Sequence, residues 1–381
     1  MKVALAYDRV NKIGGAERVL LALHEIWPKA PLYTAVYDEE KAPWAKVFPK
    51  VITSFLQKIP LAKSHHELFA ALTELAFETF NFSQFDLVIS VTSSEAKAII
   101  TKPETLHICF CLTPTRYLWS GNSLYQNNPG FGVLNPMIKT LLPLVVPKLR
   151  VFDQIASKRP DFYLAISNTV KKRIKKYYQR ESEVVYPGID TDKFKIQNSK
   201  FKSTNQKSKV NYFLVVSRLV PYKRIDLAIE AFNELGWELK IIGTGVEADN
   251  LKKIAKSNVE FLGELTDEKL VGYYQDCRAL VCTQEEDFGL VSIEAQAFGK
   301  PVIAFAKGGI AETIRQGKTG ILFKQQNLLS LFLALKKFTK MKFSSQDCRK
   351  NALIYNKEQF QKDFKQKVNK LWDQYQNITS V

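Results

Sequence analysis

The stretch VCTQEEDFGLVSIEAQAFGKPVIAF, residues 281–305, decides the fold. It opens on a short apolar run and passes through an acidic loop at Glu285, Glu286 and Asp287. A helical segment follows at 290–298, and a second apolar run closes it at 301–305. A strand, a helix and a strand in so short a span pair in parallel, with the helix crossing one face of the sheet.

The same alternation runs outward in both directions. Strand patterns lie at 2–7, 32–37, 86–92, 106–111, 162–167 and 184–186, and again at 212–217, 238–242, 259–262 and 279–283. Helical patterns fall between them at 15–26, 64–80, 168–179, 224–235, 246–256 and 267–276, with another at 327–338. Repeated strand–helix units mean an α/β protein with parallel sheets covered by helices on both faces. The polar, lysine- and serine-rich segment KIQNSKFKSTNQKSKV (195–210) interrupts the series and has a linker's composition. The expected organisation is a Rossmann-like domain over 1–195, a linker over 196–210, a second Rossmann-like domain over 211–342 and charged helices over 343–381. A length of 381 residues favours two cores over one.

Composition narrows the class. Hydrophobic residues make up 46% and charged residues 24%, which suits a folded globular chain. No apolar run is long enough to span a bilayer, and the N-terminus reads as a first strand and not as a signal peptide. The five cysteines are odd in number and scattered, which fits neither a disulfide framework nor zinc spacing and points to a reducing cytoplasm. The net charge of +17 is spread over both halves. It leaves nucleic acid, an anionic membrane surface, a polyanionic small molecule or simply a lysine-rich surface open. The region 113–155, with Tyr117, Trp119, Tyr125, Phe131 and several prolines, breaks the rhythm. It reads either as a lid or acceptor platform or as a structural excursion.

Three clusters carry chemistry. In the opening stretch, Glu286 at the loop tip and Glu294 one helical turn inside place two carboxylates along one elongated ligand. The helix start at Phe288, Gly289 and Leu290 offers backbone N–H groups to phosphate or sugar oxygens. In SRLVPYKRIDLAIEAF (217–232), Arg218, Lys223 and Arg224 follow a strand and can neutralise a leaving diphosphate. Near the N-terminus, Gly14 and Gly15 sit between a strand and its helix without the spacing of a dinucleotide fingerprint. Each cluster also reads as ordinary surface or capping when taken alone.

As an ordered set, with ISNTVKKRIKKYY (166–178), VVYPGID (184–190), IIGTG (241–245), FLGELTD (261–267) and EEDFGLVSIEAQAFGKPVIAFAKGGIAE (285–312), these runs resemble the retaining GT-B glycosyltransferases of glycosyltransferase family 4. The likeness is nearest to bacterial mannosyltransferase-like enzymes of surface-polysaccharide synthesis, including lipopolysaccharide. The resemblance implies two Rossmann-like domains and transfer of a hexosyl or deoxyhexosyl group from a nucleoside-diphosphate sugar, GDP-mannose-type, to a saccharide or lipid-linked saccharide. It implies retention of anomeric configuration, no metal and no cofactor beyond the sugar nucleotide as co-substrate. It assigns Arg218 and Lys223 to the diphosphate, Glu286 to the transferred sugar and Glu294 to the ribose. The N–H groups of Phe288, Gly289 and Leu290 would meet sugar hydroxyls and phosphate. Gly243 joins the donor site, the segment from Leu265 to Asp267 lines the base, and Gly14 and Gly15 close over the phosphates. Residues 343–381 would cross back to the first domain. The implied front-face route lets the leaving diphosphate take the acceptor's proton.

One position departs from the family pattern. Leu112 follows the strand at 106–111 where such enzymes often carry a histidine beside the C6 hydroxyl of the donor sugar. An apolar residue there is expected to favour a 6-deoxy sugar; a retuned or weakened enzyme is the competing reading. The histidines present (His24, His65, His66 and His107) are expected to be structural or solvated. The helix at 168–179 shows a stripe of Val170, Ile174 and Tyr177 with lysines elsewhere, which suits a cytoplasmic protein touching the inner face of the membrane. An epimerase-like GT-B protein and a nonenzymatic polyanion binder remain alternatives. Nucleic acid is not an expected partner, because charge alone suggests it and nothing in that reading explains the glutamate pair.

Overall fold

The computed structural model describes residues 1–63, 69–121, 135–191 and 212–379. Two compact units emerge from its contacts: residues 1–187 with 360–381, and residues 188–359. The expected linker at 196–210, His65, His66, Tyr125 and Phe131 all lie outside the described residues.

The first unit holds a seven-stranded parallel sheet in the order β3-β2-β1-β4-β5-β6-β7. Its strands are β1 Val3–Tyr7, β2 Leu32–Thr34, β3 Val51–Thr53, β4 Leu87–Thr92, β5 Leu106–Cys111, β6 Phe162–Ala165 and β7 Glu183–Val184. Every residue of β4 and β5 is buried, because helices cover both faces of a parallel sheet and its central strands read as continuous apolar runs. Helices α1 Gly15–Ile26, α2 Ala70–Glu78, α3 Asn135–Ala156 and α4 Asn168–Tyr178 accompany it.

The second unit holds a six-stranded parallel sheet in the order β10-β9-β8-β11-β12-β13. Its strands are β8 Phe213–Val216, β9 Leu239–Ile242, β10 Val259–Gly263, β11 Leu280–Cys282, β12 Val302–Phe305 and β13 Gly320–Phe323. Its helices are α5 Ile225–Leu235, α6 Ala248–Ile254, α7 Asp267–Asp276, α8 Leu290–Ala297, α9 Leu328–Thr339 and α10 Ser345–Leu353. The last helix, α11 Lys357–Thr379, begins in this unit and packs most of its length on the first. Phe364 lies 4.9 Å from Phe110 between ring centres, Gln361 donates to the Ala22 carbonyl at 2.9 Å, and Lys367 pairs with Glu183.

Three local expectations need correction. The strands β3 and β13 have no counterpart in the sequence reading. Both are short strands at a sheet edge: β3 has three residues, all only partly buried, and β13 is a four-residue apolar run, GILF, too short to stand out along the chain. The end of the irregular region 113–155 is the long helix α3, which keeps its course through Pro143 and Pro147. In α4 the inward stripe is Val170, Ile174 and Tyr178, while Tyr177 is half-buried and stacks on Trp119 at 5.2 Å.

Candidate active site

In an open parallel sheet a ligand crevice opens beyond the carboxyl ends of the strands, where the strand order reverses. In the second sheet that point lies between β8 and β11. Arg218 and Lys223 follow β8, and Glu286 follows β11, so the chemistry-bearing loops flank the switch point. Lys223 and Glu286 form an ion pair, the two side chains being 12% and 17% exposed. Gln284 Nε2 donates to the same Glu286 oxygen at 2.7 Å. The Thr283 hydroxyl ties the two loops together by donating to the Lys223 carbonyl at 3.0 Å.

The backbone around the pair is fixed from below. Lys223 ends a one-turn 3-10 segment, Pro221–Lys223, and Arg224 takes a left-handed conformation (φ 51°) to cap α5. The two basic residues therefore stand before the helix and not inside its first turn. Arg224 is held by Asp226 at 3.1 Å. Arg218 is exposed and donates to the Tyr222 hydroxyl. A Cβ on Gly243 would strike the Ser217 carbonyl, so the turn after β9 packs directly on the strand end that presents Arg218.

The acidic loop is clamped in the same way. Gly309 N–H donates to the Glu286 carbonyl at 2.7 Å, and Lys307 pairs with Glu285 at 3.1 Å. A Cβ on Gly308 or Gly309 would run into the backbone of Glu286 or Asp287. Gly289, at φ 90°, makes the turn into α8; the Ser292 N–H bonds back to the Gly289 carbonyl at 2.9 Å, which leaves the N–H groups of Leu290 and Val291 with no acceptor within the helix. Phe288 is buried and meets Tyr355 edge-on at 5.6 Å, which anchors the turn, and Leu290 opens the helix. Glu294 sits in that helix, 5% exposed, and accepts the Tyr274 hydroxyl bond at 2.9 Å. Leu265 packs against the core beside α7, and Asp267 is the exposed first residue of that helix.

The second unit thus brings together Arg218, Lys223, Gly243, Glu286, Gly289 and Glu294 on the carboxyl side of one sheet. Thr283, Gln284, Tyr274 and the Gly308–Gly309 turn support them and escaped the sequence reading as separate contributors. The quoted run KGGIAE contains the glycine pair, but its contact with the acidic loop is visible only in three dimensions.

Gly14, Gly15 and Leu112 belong to the first unit. Gly14 is extended and precedes α1, which Gly15 begins. Leu112 is buried directly after β5, and its N–H donates to the Thr92 carbonyl at 2.8 Å. The switch point of this sheet lies between β1 and β4. There Asp8 accepts bonds from the Thr92 hydroxyl at 2.5 Å, the Ser93 N–H at 2.8 Å and the Ala96 N–H at 2.9 Å. Arg9 pairs with buried Glu95 at 3.3 Å. Sequence reading missed this network because its partners are far apart along the chain.

His107 is fully buried in β5 and bonded to Ser90 at 2.8 Å. Burial, then the charges of Arg159 and Arg180, push its pKa down to about 3, so it is neutral and structural. All five cysteines are free and buried. Among the described residues, no group of three His, Cys, Asp or Glu side chains is placed to hold a metal ion. No helix among them is long and apolar enough to cross a membrane.

Residues 196–354 match the family model described as glycosyl transferases group 1. The chain is 26% identical over 185 residues to a glycosyltransferase of Methanocaldococcus jannaschii, covering 47% of this chain and 50% of that protein. It is 30% identical over 161 residues to the GDP-mannose-dependent alpha-(1-6)-phosphatidylinositol monomannoside mannosyltransferase of Mycobacterium tuberculosis, covering 37% and 42%. The chain spans half or less of the length of these curated relatives. Among solved structures, Anabaena Alr3699/HepE in complex with UDP-glucose superposes with a TM-score of 0.67 over 97% of this chain and 100% of its own, at 18% identity. The fold is GT-B, with two Rossmann-like parallel-sheet domains.

Proposed function

We propose that this protein is a group 1 glycosyltransferase that moves a hexosyl or deoxyhexosyl group from a nucleoside-diphosphate sugar to a saccharide or lipid-linked saccharide. The observation that carries the reading is the Lys223–Glu286 pair at the switch point of the second sheet, beside the amide-bearing start of α8. A GDP-mannose-type donor is supported by the mannosyltransferase similarity, and retention by the family resemblance of the glutamate pair.

Breaking the glycosyl–phosphate bond builds positive charge on the sugar ring and negative charge on the leaving diphosphate. Lys223, Arg218 and the first-turn amides of α8 stabilise the diphosphate in a site whose dipoles are already oriented. Glu286 then turns from Lys223 to the sugar hydroxyls, and Glu294 receives the ribose hydroxyls from its place beside Tyr274. The acceptor hydroxyl oxygen bonds to the anomeric carbon from the face the diphosphate leaves, and its proton passes to the departing phosphate oxygen, so no side chain need act as nucleophile or base.

A thermal-shift panel of nucleoside diphosphates and their sugars, with chelator present, tests the reading. One diphosphate should raise Tm selectively, by an amount corresponding to ~2.7 kcal/mol at a hundredfold excess over Kd. Lys223→Ala should abolish that rise while leaving a cooperative melt. A cooperative melt with no response to any of them would overturn the donor site.

Leu112 bears on the choice of sugar. An apolar wall leaves a C6 hydroxyl without a partner, which costs about 1 to 3 kcal/mol, so a 6-deoxy donor should be favoured by one to two orders of magnitude. Leu112→His should narrow that ratio. Equal turnover of both donors by the wild type, unchanged in the variant, would remove Leu112 from specificity.

A further inference from the structure

Behind the two turns that flank Glu286 lies a buried polar cluster that the transfer chemistry above does not use. It consists of Ser292 and Gln296, four apart on α8, Thr313 at the end of the one-turn segment Gly309–Glu312, and Asn351 of α10. Gln296 Nε2 donates to the Ser292 carbonyl at 3.1 Å and to the Thr313 carbonyl at 3.0 Å. Asn351 Nδ2 donates to Gln296 Oε1 at 2.7 Å and to the Thr313 carbonyl at 2.8 Å. Both amide groups thus spend their two hydrogens inside the cluster.

The hydroxyls form a chain toward the site. Ser292 Oγ lies 2.8 Å from the Gly289 carbonyl oxygen and 2.7 Å from Thr313 Oγ1, which lies 2.8 Å from the Ile310 carbonyl oxygen. Two hydroxyl hydrogens cannot fill three bonds, so the chain is polarised: Ser292 donates to Thr313 and Thr313 to Ile310, or Thr313 donates to Ser292 and Ser292 to Gly289. In either order the carbonyl left over keeps an N–H donor, from Ser292 to Gly289 at 2.9 Å or from Thr313 to Ile310 at 3.2 Å. The bond between the two hydroxyls is present in both orders. It joins the Gly289 turn to the segment that holds the acidic loop, where a Cβ on Gly289 would come within 2.9 Å of Ile310 Cγ1.

We propose that Thr313 is a positioning residue of the donor site: through Ser292 it sets the amides that open α8 at a fixed distance and angle from Glu286. Gly309 N–H already holds the Glu286 carbonyl at 2.7 Å, so the hydroxyl bond closes the link between the carboxylate loop and the helix start. Apolar side chains of the same shape would pack a helix on a turn at similar stability. A hydrogen bond adds direction, and a fully satisfied buried network specifies one arrangement of the groups it joins. Amides aimed at a diphosphate gain from that, because the strength of each bond falls steeply with angle. The inference rests on the donor reading of this site.

Isothermal titration of the full chain with GDP and with UDP, at a temperature where every variant is folded, tests it. Thr313→Val keeps the shape and removes the hydroxyl; it should raise Kd for the tighter diphosphate by about tenfold. Thr313→Ser restores the hydroxyl and should bind like the wild type. Ser292→Ala should weaken binding as Thr313→Val does, and the two together should cost no more than the larger single loss. Asn351→Leu breaks the cluster on its far side and leaves the hydroxyl chain; it should lower Tm while Kd stays within about twofold. An unchanged Kd in Thr313→Val beside a wild type that binds would overturn this inference alone. A rise in Asn351→Leu as large as in Thr313→Val would also overturn it, by assigning the effect to general loosening. A wild type that binds neither diphosphate would overturn the donor reading and this inference with it.

Discussion

Each unit contains a lysine–carboxylate pair, and the two pairs differ in what surrounds them. Lys97 and Asp153 are both 1% exposed, with Nζ and Oδ1 at 2.6 Å. Thr115 donates to the same Asp153 oxygen at 2.7 Å, and the Trp119 indole N–H donates to the other at 2.7 Å. Burial disfavours the Lys97 ammonium, but the charge and hydrogen bond of Asp153 outweigh it and raise its pKa. Lys223 and Glu286, in contrast, stand partly open at the ends of their strands, with Gln284 as a further donor to the glutamate. The first pair has all its partners within the protein and fastens α3 to the sheet. The second is partly open to solvent, as the proposed donor site requires. Two pairs of similar chemistry are thus separated by access to solvent: one is closed within the core, and the other is the one the proposed donor site employs.

The largest expected effect breaks the buried pair. Lys97→Met leaves Asp153 charged in a dry site and should cost about 3–5 kcal/mol. Lys223→Met, at a partly solvated pair, should cost about 1 kcal/mol or less. Denaturant unfolding of both variants reads the difference directly. Replacing both Lys97 and Asp153 by apolar residues of similar volume should recover much of the loss, because no unpaired charge is then left behind. Equal losses for Lys97→Met and Lys223→Met would mean that burial does not distinguish the two pairs.

The same contrast explains what could be read along the chain. The second unit's site is assembled from loops whose residues carry their own signals: Gly289 at the turn into α8, Pro221 and Lys223 after β8, Glu286 in an acidic loop. Its alternating strands and helices were legible for the same reason, since the apolar period is local. The first unit's polar network is not local. Asp8 reaches residues 92–96, Arg9 reaches Glu95, and Lys97 reaches Asp153, so no short window contains either partner's reason for being there. Helix α3 was misread because Pro143 and Pro147 are ordinarily punctuation; packing of Val146, Leu149 and Ala156 against the unit's core supports the helix through them. The family model falls on the same side of this divide, covering 196–354 and thus chiefly the unit whose motifs are local.

A smaller effect sharpens the description of the buried pair. Glu74, on α2, is more than half buried, and its pKa is pushed up to about 7, by burial first. Lys97 and Arg159 lower it, whereas the charges of Asp153 and Glu95 raise it. The folded state therefore holds this proton more tightly than the unfolded chain, whose glutamate has a pKa near 4.5. Below that value both states are protonated and the residue contributes no pH dependence. As pH rises from about 4.5 to about 7 the unfolded chain ionises first, and folding loses stability until Glu74 ionises as well. Glu74→Gln removes that loss: at pH ~8 it should stabilise by about 2 kcal/mol, a figure reduced for partial solvent access, and near pH ~4.5 by almost nothing. Unfolding curves at the two pH values measure it. Removing Lys97 takes away a cation that favours ionised Glu74, so the benefit of Glu74→Gln should be larger in a Lys97→Met background. Strict additivity of the two substitutions would show that Glu74 and the buried pair are electrostatically independent.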